Sequence, residues 1–307
     1  MDGGYTQQDV VEVSRCFTGW AYNPLNGQFL FTPQRHDNGE KVVLGQQIAA
    51  GGIKDGEMVL DLIAGHPSTA KHIATKLCRR FIADDPPPAA IEWAAKTFEA
   101  SGGDLRKVVE CIVTSPEFFS PQAYRAKIKS PFEFGVSAIR ATGGTIDLSG
   151  EGLNSAMLRC TVEGSATLGY GQELVSKAKR KSLNWHIFEM GQPLYAYQAP
   201  TGYPEDSRKW VSSGALISRL NFTLALTGQT VADVTLSPQG LTRNLDIDQP
   251  EKVMDQLLKK FVPGDPSPAT RDTLLQQYKG KESTPGSTVN VPQMAALILG
   301  SPEFQRR

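Results

Sequence analysis

A proline-punctuated helical pattern that occurs twice is the feature that most constrains the fold of this chain. Residues 77–89, LCRRFIADDPPPA, match residues 258–269, LKKFVPGDPSPA, and residues 111–119, CIVTSPEFF, match residues 297–305, LILGSPEFQ. The matches occur in the same order and at nearly the same separation, which indicates two copies of one unit. In each copy a helix ends at phenylalanine, prolines turn the chain, and two further helices follow. Each copy has an amphipathic face that must be covered, so we expect the copies to pack in one compact body.

Helical periodicity continues through much of the remaining chain, and one segment has the pattern of a β-hairpin. Residues 28–33 and 40–44 form short extended runs, and Asp37-Asn38-Gly39 between them is typical turn chemistry. The sequence therefore predicts a mainly α protein, a multi-helix bundle with two related helical units and one short β-hairpin.

Composition suggests three parts along the chain. Residues 1–143 are expected to form the helical unit with the hairpin, and residues 210–307 the second helical unit. Residues 144–209 are rich in glycine and proline, so we expect a loop-rich excursion there, with one helix near residues 154–162.

Charge and hydropathy exclude several classes of protein. Lysine plus arginine and aspartate plus glutamate both number 32, so no excess of positive charge indicates nucleic-acid binding. No apolar run is long enough to predict a membrane span. Residues 1–5 lack the basic start and apolar stretch of a signal peptide, so the chain as given is expected to be cytoplasmic when expressed.

Cofactor and metal motifs are missing from the sequence. It contains no phosphate-binding P-loop, dinucleotide fingerprint or nucleophile elbow, so no cofactor is predicted. The four cysteines form no C-x-x-C pair, and His66 and His72 are too far apart for one helix face, so no metal is predicted either. Buried free thiols are the simplest interpretation of the cysteines, and a disulfide stays open. Ser176 and Lys179 match S-x-x-K without the partner motifs of serine acyl-enzymes.

Paired carboxylates are the main catalytic candidates. Asp9, Glu12 and Arg15 are spaced by three and share one side of the first predicted helix. They could be a capping aspartate and an ion pair, or two carboxylates that flank a cleft for glycoside hydrolysis. His36 and Asp37 adjoin the predicted turn, where Asp37 could bond its own turn backbone or the pair could act as acid and base.

Cations and aromatic side chains supply the ligand-binding candidates. Arg79, Lys129 and the helix-starting Glu133 lie near prolines, and such cations either bind an anionic ligand or lace helices together. Trp20 and Tyr195 belong to aromatic, loop-rich stretches, which bind sugars or proteins when they are exposed.

Several segments together resemble one family. GGYTQQDVVEVSRCFTGW, HDNGEKVVLG, HPSTAKHIATKLCRRFIADDPPP, SPEFF, AKIKSPFEF and MGQPLYAYQAPTGYP occur in this order over roughly residues 3–228. They resemble the bacterial DUF1800 proteins, which have no settled activity. The resemblance includes the pair His36 and Asp37, and it adds Gln192 to the ligand-binding candidates.

The resemblance also carries expectations about the setting. Family members are typically exported to the periplasm or cell surface, and their genes often adjoin those of a second exported family. A usual member has a helical region and an export signal before the GGYTQ segment, so the chain resembles the C-terminal part of such a protein. Residues 144–185 look longer than in usual members.

Two functions remain open from the sequence. The first is an envelope-associated binding or scaffold module that acts with a protein or carbohydrate partner. The alternative is a hydrolase of the glycoside-hydrolase kind that uses carboxylates near Asp9, Glu12 and Asp37 on polysaccharide.

Overall fold

The computed structural model describes residues 3–147, 181–242, 245, 249–262, 264, 266–279 and 289–307. The mainly α class is confirmed, because helices make up most of these residues. The predicted helix near 154–162 and the Ser176–Lys179 motif lie outside them. The described helices are α1 Gln7–Cys16, α2 Ile53–Ala64, α3 Pro67–Phe81, α4 Pro88–Ala100, α5 Leu105–Val113, α6 Pro131–Ala141, α7 Leu183–Glu189, α8 Ser213–Thr227, α9 Pro238–Thr242, α10 Pro250–Phe261, α11 Pro268–Lys279, α12 Val291–Leu299 and α13 Pro302–Gln305.

Sequence-encoded caps begin several of these helices. Thr6 and Asp9 form a reciprocal capping box at α1, and Ser130 and Glu133 form another at α6. Asp104 accepts hydrogen bonds from the first backbone N–H groups of α5. Within the described ranges, none of the helices is both long enough and apolar enough to span a bilayer.

The β-structure consists of two-stranded antiparallel pairs, and the predicted hairpin pairing is wrong. Within the described residues the strands are β1 Trp20–Tyr22, β2 Phe29–Phe31, β3 Lys41–Val43, β4 Gln46–Ile48, β5 Gly144–Ile146 and β6 Val234–Leu236. β1 pairs with β2, β3 with β4, and β5 with β6. The runs 28–33 and 40–44 do contain strands, but each strand pairs with another segment. β3 and β4 close across Leu44 and Gly45, which both have positive φ as a tight hairpin turn requires.

Residues 1–124 form one compact unit, which we call unit 1. One of its clusters joins α1, α2, β3 and β4 through Cys16, Val43, Ile48 and Val59. The other joins α3, α4 and α5, with Ala74, Cys78, Ala94, Val108 and Ile112 at its centre. Cys78 is a buried free thiol whose pKa burial raises to about 11, so it behaves as an apolar core residue.

Residues 125–307 form a second compact unit, unit 2. Helix α8 packs against α12, α6 and α7, and α10 packs against α11 and α12. Phe134, Phe222, Met254, Met294 and Leu299 lie in its core. The three-part division predicted from composition stays a prediction.

Unit 1 contains a close contact that depends on a glycine. A Cβ atom placed on Gly56, inside α2, would lie 2.4 Å from the Trp20 ring and 3.1 Å from the Phe17 ring. The absence of a side chain therefore allows both aromatic rings to approach the helix.

Replacing Gly56 by alanine should lower the free energy of unfolding by about 1–3 kcal/mol, because the rings must move. Gly214 in α8 is the matched control, since nothing lies within 4 Å of an added Cβ there. Gly214→Ala should be neutral or stabilise by up to about 1 kcal/mol. Thermal and denaturant unfolding measure both changes, and equal effects at the two positions would contradict the packing argument.

Candidate functional site

The candidate residues fall into two groups, one in each unit. Unit 1 holds Asp9, Glu12, Arg15, Trp20, His36, Asp37 and Arg79, and unit 2 holds Lys129, Glu133, Gln192 and Tyr195. In unit 1, all but Arg79 belong to α1, the β1–β2 hairpin and the segment after it. Arg79 is exposed in the last turn of α3.

An ion chain joins Glu12, Arg15 and Asp37. Arg15 Nη1 donates to Glu12 Oε2 at 2.7 Å, which is the ion pair expected from their spacing. Arg15 Nε donates to Asp37 Oδ2 at 2.8 Å and Nη2 donates to Oδ1 at 3.2 Å, a two-pronged contact across 22 positions of sequence. Gln8 Nε2 donates a hydrogen bond to the other carboxylate oxygen of Glu12, Oε1, at 2.7 Å. Helix α1 is thereby tied to the turn after the hairpin.

Hydrogen bonds hold Asp9 and Asp37 in their ionised forms. The Arg15 guanidinium and the Gly39 N–H keep the pKa of Asp37 well below its usual range. The Thr6 cap and the Leu44 N–H, which donates to Asp9 Oδ1 at 2.7 Å, lower the pKa of Asp9. Each of these carboxylates accepts bonds that favour its charged form.

Beneath the ion chain lies a fully buried charge cluster that the sequence did not reveal. Lys41 Nζ lies 2.6 Å from Asp55 Oδ2, and neither side chain is exposed. Lys41 also donates to the Asp37 carbonyl oxygen. The Gly51 N–H donates to Asp55 Oδ1 at 2.7 Å, and His36 Nε2 lies 3.1 Å from Asp55 Oδ2. Burial raises the pKa of Asp55, but the bonds from Lys41, Gly51 and His36 outweigh burial, so the pKa is lowered.

The partners of His36 fix where its proton lies. Nδ1 is 2.8 Å from the Thr18 carbonyl oxygen, which can only accept, so Nδ1 carries a hydrogen. Thr18 Oγ1 donates to the Arg15 carbonyl at 2.6 Å and accepts from the Asp37 N–H at 2.8 Å. Nε2 lies 3.1 Å from Asp55 Oδ2. The imidazole is therefore enclosed between a helix end and a buried carboxylate.

A shallow depression of about 330 Å³ opens beside the ion chain, lined by Thr6, Gln8, Asp9, Glu12, Arg15, Glu40 and Val42. His36, Lys41 and Asp55 do not line it. Among the described residues, no group of three or more histidine, cysteine or acidic side chains could hold a metal ion.

The β1–β2 hairpin stands directly above the buried cluster. The Thr32 N–H donates to the Gly19 carbonyl at 2.8 Å, and the rings of Phe31 and His36 lie 5.5 Å apart. Trp20 packs edge-on against Phe17 at 4.9 Å and against Phe29 at 5.1 Å. The candidate residue Trp20 is thus part of the root of the hairpin.

In unit 2 the candidates collect around the start of α6. The Gln192 side-chain oxygen accepts a hydrogen bond from the Phe132 N–H at 2.8 Å and so caps the helix. Lys129 Nζ donates to the Phe304 carbonyl at 2.7 Å and lies 3.9 Å from the centre of the Phe304 ring. Burial lowers the pKa of Lys129 to about 8, although Glu133 opposes that change. Tyr195 has a left-handed backbone and is 91% exposed.

Arg219 is the third buried charged residue that sequence reasoning missed, after Lys41 and Asp55. It is fully buried in α8 and bonds to the Lys129 carbonyl at 2.8 Å and to the Gln305 side chain at 3.2 Å. Its guanidinium lies over Phe134, 5.1 Å from the ring centre. Burial lowers the pKa of Arg219 to about 10. The apolar pattern around residue 219 gave no signal that the arginine would point inward.

A family model described as a protein of unknown function (DUF1800) matches residues 1–306. No curated protein and no solved structure matches the chain.

Replacing Asp55 by asparagine should destabilise the protein by about 3–5 kcal/mol, because Lys41 would keep a buried charge without its partner. Asp61→Asn is the matched control, since Asp61 is exposed on the same helix and should change stability by less than about 0.5 kcal/mol. Denaturant unfolding measures both. A loss of under 1 kcal/mol for Asp55→Asn would contradict the role of the buried pair.

The ion chain should also make stability depend on pH. The folded pKa of Asp37 lies below the value of about 4 for an unfolded aspartate. Its contribution is therefore present at neutral pH and is lost as the pH falls below about 4. Asp37→Asn and Arg15→Met should each lower the melting temperature at pH 7 and flatten its decline between pH 5 and 3. If the melting temperature of both variants declined with pH as steeply as that of the wild type, the ion chain would not be the source of the pH dependence.

Proposed function

The chain belongs to the DUF1800 family, and we propose that it is a binding module that holds a partner protein through its apolar β1–β2 hairpin. One observation carries the proposal. Trp20 faces Phe31 and Tyr22 faces Phe29 in the strand register, so four aromatic rings share one side of the hairpin. Trp20 and Phe31, the pair at the root of the hairpin, are partly buried, whereas Tyr22 is 71% exposed and Phe29 is 55% exposed.

The tip of the hairpin continues the same apolar surface. Leu25 in the turn is 94% exposed. Leu30 is exposed as well, but it alternates with Phe29 and Phe31 and therefore lies on the other side of the hairpin. Single exposed apolar side chains are ordinary, but a contiguous set on one projecting element is typical of an interaction site. No residue from 16 to 34 carries a charge. The surface that fits this hairpin is therefore an apolar, uncharged cleft on another protein.

The buried cluster supports binding because it fixes the hairpin in advance. His36, Lys41 and Asp55 hold the segment that follows β2, and Arg15 ties Asp37 to α1. A loop that is already ordered loses less conformational entropy when a partner docks. In this proposal the charged residues act as the foundation of the site, and the aromatic side chains make the contact.

The alternative function, hydrolysis of polysaccharide, has less support. A glycosidase needs one carboxyl group that is protonated near neutral pH and can act as the acid. The lowered pKa values of Asp9 and Asp37 make both of them poor acids. Glu12 is bonded through both oxygens, to Gln8 and Arg15. These contacts favour a structural role for the carboxylates.

We also propose a cellular location and an internal repeat for the chain. A bacterial envelope location rests on the family resemblance. The internal repeat is proposed as well: α3, α4 and α5 pack against one another in unit 1, and α10, α11 and α12 do so in unit 2. Equivalent helices meeting in equivalent pairs support two copies of one three-helix unit.

A photo-crosslinking amino acid placed at Tyr22 or Leu25 should capture one discrete protein in the bacterium of origin. The same amino acid at Leu60, which is exposed on α2, is the control and should not capture it. With that partner purified, Tyr22→Ser and Phe29→Ser should each weaken binding about tenfold or more, since buried aromatic anchors contribute over about 1.4 kcal/mol. Calorimetry measures the affinity, and the melting temperature of Tyr22→Ser should stay unchanged, since Tyr22 is 71% exposed.

Two results would contradict this function. One is binding of the hairpin to lipid vesicles without any protein cross-link. The other is turnover of a polysaccharide that Glu12→Gln abolishes while the hairpin variants leave it intact.

A further inference from the structure

Helix α8 in unit 2 carries apolar residues on both its buried and its exposed side. Arg219, Thr223 and Thr227 are buried toward the unit, along with Phe222 and Leu226. The opposite side exposes large apolar residues, namely Leu216, Ile217, Leu220 and Leu224. A helix that is apolar on its outer side as well as within is normally covered on both sides. Among the described residues, α8 packs against α6, α7 and α12, and the four apolar residues of the opposite side stay exposed.

The exposed leucines follow a symmetric spacing. Leu216, Leu220 and Leu224 recur every four residues, and this row is the ridge that the commonest class of helix packing uses. The row reads the same in both chain directions, with Leu220 at its centre. Two copies of α8 can therefore meet antiparallel with Leu220 on a two-fold axis, so that Leu216 of each copy faces Leu224 of the other. A two-fold interface requires this self-complementarity.

Charge also favours a second copy of the same surface. Arg219 is the single charged residue of Ser213–Thr227, and it is fully buried. Two α8 helices therefore bring no like charges together, and the cores of protein interfaces are depleted in charge.

From these three observations we propose that the outer row of α8 is the interface between two copies of this chain. The copies pack antiparallel about an axis at Leu220. The inference concerns a different unit from the hairpin and does not rest on the proposed function.

The oligomeric state is the first test. Sedimentation equilibrium at tens of micromolar should give a mass twice the 33.4 kDa of the chain. Ile217→Glu and Leu224→Glu should each shift the mass to that of one chain, since both positions are exposed and tolerate the charge in the monomer. Ile217 is 61% exposed and Leu60 is 49% exposed, so Leu60→Glu on α2 is the matched control and should stay dimeric. A monomeric wild-type chain, or a dimer that both α8 variants preserve, would overturn the proposal.

Cross-linking tests the geometry. Under mild oxidation Leu220→Cys should form a disulfide-linked dimer more rapidly than the wild type. Leu216→Cys or Leu224→Cys alone should cross-link poorly, while an equal mixture of the two should cross-link with each other. A Leu220→Cys variant that stays monomeric and resists maleimide labelling would indicate cover by the same chain and would refute the dimer. Equal cross-linking at all three positions would refute the antiparallel arrangement.

Discussion

The carboxylate of Asp55 organises the first unit because it gathers groups from three separate segments. His36 comes from the segment after the first hairpin, Lys41 from β3, and the Gly51 N–H from the loop before α2. Each donor lies within 3.1 Å of a carboxylate oxygen, so each segment has one position in which the buried charge is satisfied. Apolar residues in place of the whole buried cluster could stabilise the same core, but they would not fix the direction of the three segments.

The ion chain on the surface extends this order outward. Lys41 donates a hydrogen bond to the Asp37 carbonyl, and Arg15 donates to the Asp37 carboxylate. Asp37 is therefore held both by its backbone and by its side chain. The Thr18 hydroxyl then joins the end of α1 to the backbone of the same residue. The hairpin between Thr18 and Asp37 therefore has both ends fixed. Apolar side chains at its tip stay exposed because the short strands continue beyond the body to which the root is bound.

Local signals in the sequence were sufficient for the mainly α class, for several helix starts and for some of the site contacts. The Thr6 cap with Asp9, the ion pair of Glu12 and Arg15, and the turn bond of Asp37 all follow from spacing within one helix or turn. The pairing of the strands could not be predicted in the same way, since the alternation of apolar and polar residues identifies a strand but not the strand it pairs with.

The buried charges were invisible for a related reason. Lys41 and Asp55 are 14 positions apart, and a charged residue is usually assigned to the surface. Lys41 does share its strand face with the buried Val43, which is the one pattern that could have shown it to point inward. The sequence around Arg219 gave no comparable signal of burial, because the carbonyl groups of residues 129 and 210 that it bonds to are brought near it only by the tertiary fold.

Both units therefore place a buried cation beneath an exposed apolar element. In unit 1, Lys41 and its partners lie under the aromatic hairpin, and in unit 2, Arg219 lies under the leucine row of α8. A buried cation needs oxygen atoms around it, and these fill the space where apolar side chains would otherwise pack. In α8 the buried Arg219 and the exposed leucines share one helix, so the polar interior and the apolar outer side are two faces of one element. In unit 1 they belong to different strands, β3 for Lys41 and β1 and β2 for the rings, and the cluster acts instead by holding the segment that follows the hairpin.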